Sequence, residues 1–177
     1  MAIYVYVATS LDGFIAASDG GLDWLMEIPN PDQSDFGYAE FMSGIDALVM
    51  GRATFDMVLS FGSWSYDKPV FVLSNTLDQV PEHVAEKAEI VSGPLRPLVN
   101  GLRERGYENL YVDGGRAIQS FLEEDLVDEM TITRVPILLG KGIPLFGKLT
   151  KRLEFRHQKT EPLNEMLTQS RYTRIRE

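Results

Sequence analysis

The sequence predicts a three-layer α/β protein: a mixed, mostly parallel twisted sheet with helices on both faces and a C-terminal antiparallel hairpin. Three observations carry this. Short apolar runs twice break at glycine and restart with helical spacing, at Ala47–Leu59 and Leu110–Leu122. Such strand, turn and helix units build parallel sheets. The runs themselves are apolar on both faces, as strands buried beneath helices are. The last stretch instead reads as two strands separated by Glu161-Pro162-Leu163-Asn164, which closes the sheet antiparallel.

Taken in order, Ile3–Ala8 is β-branched and aromatic on both faces and is expected as the central strand, buried from two sides. Ser10–Ala16 continues it irregularly, and Ser18-Asp19-Gly20-Gly21 marks a mobile loop with Trp24 beside it. Ser34 or Asp35 can cap a helix that ends near Gly44. Ala47–Met50 is a second buried strand, broken by Gly51-Arg52 and followed by a helix from about Thr54 to Leu59. Val70–Leu73 is a third, halted by Ser74-Asn75-Thr76. Glu89–Val91 reads as a small strand and Leu95–Arg105 as a surface helix.

Leu110–Val112 then runs into Asp113-Gly114-Gly115 and a helix over 116–124, whose Ile118, Phe121 and Leu122 repeat at the spacing that packs a helix on a sheet. Paired glycines reach dihedrals closed to other residues and carry no Cβ, so a ligand can approach the free amides opening that helix. A phosphate suits those amides and the helix dipole. A tight connection without a ligand is the alternative. Val127–Val135, half alternating, is expected nearer a sheet edge. Leu139–Pro144 is a glycine-rich loop, and Leu153–His157 with Met166–Ile175 are the closing strands.

Composition narrows the function. A chain of 177 residues with 44% hydrophobic content suits one domain, residues 1–177. Seventeen basic against 26 acidic residues give a net charge of −9 with no Lys/Arg block, which argues against nucleic acid or a lipid surface. There is no cysteine, and His83 and His157 have no partner at a metal-binding interval, so no metal is assigned. The apolar start lacks a basic flank and meets Asp12-Gly13 too early for a signal peptide or membrane span, so a cytoplasmic protein is expected.

Three segments together resemble the dihydrofolate reductase superfamily, and more closely its branch containing the C-terminal reductase domain of riboflavin-biosynthesis proteins, RibD. They are Ala8–Ala16, Val49–Phe55, and Val112-Asp113-Gly114-Gly115 with Leu126-Val127-Asp128-Glu129. The resemblance implies a dihydrofolate reductase-like fold and NADPH as hydride donor to a small-molecule substrate, as in 5-amino-6-(5-phosphoribosylamino)uracil reductase. It implies pairing into a homodimer, for which Val127–Leu139 offers a surface; that segment reads equally as core. It also implies site residues. Arg52, after the strand-ending Gly51, matches the arginine that reaches the 2′-phosphate. Thr54 and the Gly114-Gly115-Arg116-Ala117 turn match the pyrophosphate site, and Ser74, Asn75 and Thr76 the adenosine end, although the trio also reads as a turn. Ala8 and Ile15 match the nicotinamide cradle, with ordinary core as the alternative. The Asp19-Gly20-Gly21 loop resembles the lid over the ring.

Two carboxylates are candidates for assisting protonation or orienting substrate. Asp113 ends a strand beside the expected nicotinamide position. Asp35 precedes Gly51 at a spacing that resembles the folate reductase acid, yet is equally placed to cap its helix. An NADP(H)-binding regulatory protein without turnover, and a dihydrofolate reductase proper, stand as the alternative functions.

Overall fold

A computed structural model describes residues 1–176. Its elements, in order, are β1 (Ala2–Thr9), β2 (Phe14–Ala16), α1 (Asp23–Met26), α2 (Tyr38–Ser43), β3 (Ala47–Gly51), α3 (Arg52–Ser60), β4 (Val70–Leu73), a 3₁₀ turn (Glu82–Val84) and β5 (Ala88–Val91). There follow α4 (Leu95–Glu104), β6 (Asn109–Asp113), α5 (Gly115–Glu123), β7 (Glu129–Arg134), β8 (Ile143–Pro144), β9 (Glu154–Pro162) and β10 (Thr168–Ile175).

Eight strands form one sheet in the order β5-β4-β3-β6-β1-β7-β10-β9, parallel from β5 to β7 and antiparallel from β7 to β9. This is the mixed, mostly parallel sheet with a closing hairpin that the sequence predicts. On one face, α4 and α5 bury Val99, Leu102, Ile118 and Phe121 against Ile3, Val5, Val49 and Val112. On the other, α2, α3 and the 3₁₀ turn cover Leu48, Met50, Val70 and Val72 with Phe41, Phe55 and Val84. Burying each large apolar side chain fully contributes roughly 1.5–3 kcal/mol. No helix among the described residues is long and apolar enough to cross a membrane.

Four expectations change. β1 lies inside the sheet as predicted, but only alternate residues, among them Ile3 and Val5, are buried; Tyr4 and Tyr6 are half-buried on the α2 face. The strand with apolar burial on both faces is β3, where Ala47 to Met50 are all sealed from solvent. β7 is interior, because β10 pairs with it on the side away from β1. β9 runs on to Pro162, so the hairpin turn falls later than Glu161-Pro162; its outward residues are polar and gave no apolar alternation to read. The glycine-rich loop and the stretch after β1 also pair, as the two-stranded β2–β8 sheet.

Two carboxylates pin this frame. Asp12 accepts the backbone N–H groups of Leu139 at 3.2 Å and Gly140 at 2.7 Å, and the hydroxyl of Ser10 at 2.6 Å, so the Ser10-Leu11-Asp12-Gly13 motif fastens the glycine-rich loop to the end of β1. Asp128, from the Leu-Val-Asp-Glu motif, accepts the Ile3 N–H at 2.7 Å, supplying a ladder bond at the start of β1.

A third network ties down the C-terminal strand. The Arg174 guanidinium grips the Asp125 carboxylate through Nε at 2.6 Å and Nη2 at 3.0 Å, with Lys151 at 2.9 Å. Arg174 foremost, and then Lys151, pull the Asp125 carboxyl down to about 2 against the opposing effect of desolvation. A folded value below the unfolded one of about 3.9 stabilises above about pH 4, and that contribution is lost as pH falls through about 2. Asp125→Asn is therefore expected to lower stability at pH 7 by at most about 2 kcal/mol, since the exposed lysine is screened. The variant's stability should also fall less steeply between about pH 4 and 2, as urea melts at stepped pH can read.

Candidate active site

β3 and β6 are neighbours, with Met50 paired to Asp113, so both strands end at the same level of the sheet. Each hands over to a helix through glycine. Gly51 is extended, and Gly114 takes φ +89°, a left-handed region that side chains rarely enter. Neither α3 nor α5 has a side-chain cap at its first turn, leaving the opening amides of two adjacent helices without that partner. Arg52 and Arg116 stand exposed in those first turns. Two positive helix ends and two guanidiniums at one edge of the sheet suit a diphosphate.

The remaining predicted residues fall around this edge. Thr54 lies against Gly114, and a Cβ there would collide with the Thr54 hydroxyl, so the two turns touch only because residue 114 is glycine. Arg52 reaches across to the β4 end, donating to Thr76 Oγ1 at 3.1 Å, while Ser74 Oγ accepts the N–H groups of Thr76 and Leu77. The Ser74-Asn75-Thr76 trio is thus a hydroxyl-braced turn standing beside Arg52, with Asn75 exposed on it. The space at Gly115 is filled from within the protein. A Cβ there would meet Ile15 Cδ1 at 2.9 Å and Ile143 Cγ2 at 3.1 Å, so this glycine lets α5 close on the β2–β8 sheet. Ala117 is buried in the core, and Ala8 sits half-buried on β1 opposite Thr133.

The two carboxylates part company. Asp35 is exposed, and its oxygens accept the Gly37 N–H at 3.0 Å and the Ala39 N–H at 2.8 Å, which caps α2. Those bonds, Ala39 first, hold its carboxyl below the ordinary range. Asp113 is partly buried at the end of β6, with Oδ1 accepting the Gly114 N–H at 2.8 Å. Desolvation pushes its carboxyl up, and the Gly114 amide offsets only part of this.

Three tyrosines that sequence spacing did not flag stand near enough to feel the Asp113 charge. Burial, and after it the Asp113 charge, pushes Tyr38 up to about 12 and raises Tyr66 and Tyr111 further. All three phenols therefore keep their protons at neutral pH. Tyr111 donates to the Tyr6 carbonyl at 2.9 Å, and Tyr6 packs edge-on to Tyr38 with centroids 5.9 Å apart. Gln169 on β10 donates to the hydroxyls of Tyr6 and Thr133, each at 3.0 Å. The one available hint was the alternation of Tyr4, Tyr6 and Ala8 along β1. Beyond Tyr6 opens a cleft of about 620 Å³ between the loop before α2 and β7, β10 and β9; none of the predicted phosphate-end residues lines it.

A sheet of this order, with these paired glycine turns, defines a dihydrofolate reductase-like α/β protein. The chain spans 98% of its length and 96% of a dihydrofolate reductase from Enterococcus faecalis complexed with NADP(H), at a TM-score of 0.62 and 17% identity. More narrowly, the chain belongs to the family of the RibD C-terminal domain, whose model matches residues 2–168. It is 52% identical to a Shewanella sp. PV-4 protein provisionally named as a riboflavin biosynthesis protein, over 99% of this chain and 100% of that one, with a TM-score of 0.96. It is 32% identical to the uncharacterized protein YwjB of Bacillus subtilis, over 91% of each chain.

Proposed function

We propose that the protein is an NADPH-dependent reductase that transfers a hydride to a small heterocyclic or carbonyl substrate. The observation that carries this reading is the pair of uncapped helix starts, each with an arginine, on adjacent parallel strands. In this reading Gly51, Thr54, Gly114, Gly115, Arg116 and Ala117 frame the diphosphate. Arg52 takes the 2′-phosphate, and Ser74 and Asn75 face the adenosine end. Ala8 and Ile15 border the nicotinamide. When bound, NADPH supplies the hydride. The chain's own part is to hold the acceptor atom near the ring, exclude water and govern a proton. Asp113, amid protonated phenols, is the group we assign to substrate orientation. The NADP(H)-bound relative of the same fold supports the choice of cofactor.

Quenching of intrinsic fluorescence by added NADPH tests the binding, and NADPH oxidation with a panel of pyrimidine and pterin compounds tests turnover. No NADPH binding overturns the reading. Binding without oxidation of any compound favours a regulatory protein instead. We further propose a homodimer, supported by the exposed Leu138 and Leu11, which stand close because the Leu11 N–H bonds the Ile137 carbonyl at 2.8 Å. Sedimentation at micromolar concentration should give twice the chain mass.

A further inference from the structure

We propose that residues 27–37, the stretch between α1 and α2, form a strap that swings over the cleft beside Tyr6 and is latched shut by the Tyr6 hydroxyl. Such a gate stands whether or not the chain is a reductase, and it is separate from the Asp19-Gly20-Gly21 loop.

The strap is braced within itself and tied to the protein at one point. Asn30 clasps Ser34 through both backbone groups, its Oδ1 accepting the Ser34 N–H at 2.9 Å and its Nδ2 donating to the Ser34 carbonyl at 2.8 Å. Ser34 Oγ in turn accepts the Phe36 N–H at 3.0 Å. Every residue from Glu27 to Gly37 is exposed except Ile28 and Phe36, which are half-buried. Among the described residues, a single hydrogen bond joins this stretch to the sheet: the Tyr6 hydroxyl donates to the Phe36 carbonyl at 2.7 Å. Segments with few buried contacts and few ties open most readily.

The backbone at the latch is strained. Phe36 takes φ +54° and Gln33 φ +49°, a region that bulky side chains rarely enter, while Gly37 takes φ +85° without that penalty. Strain of this kind persists only where the surroundings enforce it. The enforcing group is Tyr6, so breaking its bond lets the strap relax about Gly37. Tyr6 itself is a fixed post. Gln169 donates to its hydroxyl and to that of Thr133, each at 3.0 Å, and Phe41 stacks on its ring at a centroid distance of 4.6 Å. A strained, internally braced segment held by one bond to a rigid post is a two-position element. Ser34, Phe36 and Gly37 line one wall of the cleft, with Glu161, Gln169 and Arg171 opposite, so the position of the strap sets the width of the opening.

Because the chain has no cysteine, paired spin labels can read this motion directly. Labels at Asp32→Cys on the strap and Glu165→Cys in the turn between β9 and β10 span the cleft, and pulsed EPR measures their separation. One distance should dominate while Tyr6 is intact. Tyr6→Phe, which keeps the ring and removes the hydroxyl, should add a longer distance and raise the ratio of long to short about fivefold, the yield of losing one ordinary hydrogen bond. Gly37→Ala, which strains the pivot and leaves the latch atom in place, should also favour the longer distance. A second pair, Glu104→Cys at the end of α4 with Glu165→Cys, spans the sheet without the strap and should keep its distance in both variants. An unchanged strap distance in either folded variant overturns the proposal. Lengthening of both label pairs together overturns it too, because the sheet itself would then have loosened.

Discussion

Arg52→Ala is expected to weaken NADPH binding by about 10- to 150-fold and leave NADH binding nearly unchanged. The range follows from the roughly 1.5–3 kcal/mol that a hydrogen bond to a charged group contributes. The 2′-phosphate distinguishes the two cofactors, and Arg52 stands at the adjoining ends of β3 and β4, where the adenosine end is proposed to lie. The fold should tolerate the change. The side chain is 45% exposed, and its pair with Asp56 is an i,i+4 surface contact at 3.4 Å, a kind that contributes about 0.3–0.5 kcal/mol. An unaltered melting temperature should accompany the affinity loss. Equal losses for NADPH and NADH would show instead that Arg52 acts by bracing the Thr76 turn.

What the sequence made legible was the half of the molecule built by local rules. Strand, glycine and helix follow one another within about a dozen residues in β3–α3 and β6–α5, so apolar runs and turn chemistry located both turns and the arginines beside them. The other half depends on partners distant in sequence. β9 carries polar residues along an edge, and only its pairing with β10 makes it a strand through Pro162. The interior place of β7 is likewise set by β10 rather than by its own pattern.

The site divides in the same way. The paired helix starts were readable, whereas the group around Asp113 was not, because it draws Tyr38 from α2, Tyr66 from the segment before β4 and Tyr111 from β6. No spacing rule links those positions. Gly115 shows a limit of another sort. A missing side chain signals close approach, but the sequence could not say that Ile15 and Ile143 are what approaches.

Asp113→Asn is expected to lower kcat/KM by at least about tenfold, equivalent to roughly 1.4 kcal/mol of transition-state stabilisation, with NADPH affinity little changed. The substitution keeps size and can still accept the Gly114 N–H, so it removes charge while preserving the turn. Linkage supplies an independent check. A carboxyl whose folded value is raised gives stability that is fully present below the unfolded value of about 3.9 and is lost as pH rises through the folded one. Ionisation of Asp113 therefore opposes folding, and Asp113→Asn should melt no lower than the unaltered protein, and higher at pH 7 than at pH 4 relative to it. A carboxyl whose ionisation costs stability is what a working site displays. Asp35→Asn should do the reverse. Its two oxygens each accept an amide at the start of α2, and asparagine keeps only one acceptor, so the variant should lower the melting temperature slightly with kcat/KM preserved. If Asp35→Asn instead abolishes turnover and shifts the pH profile while Asp113→Asn is silent, the proton is handled at the helix, and the assignment of substrate orientation to the end of β6 fails.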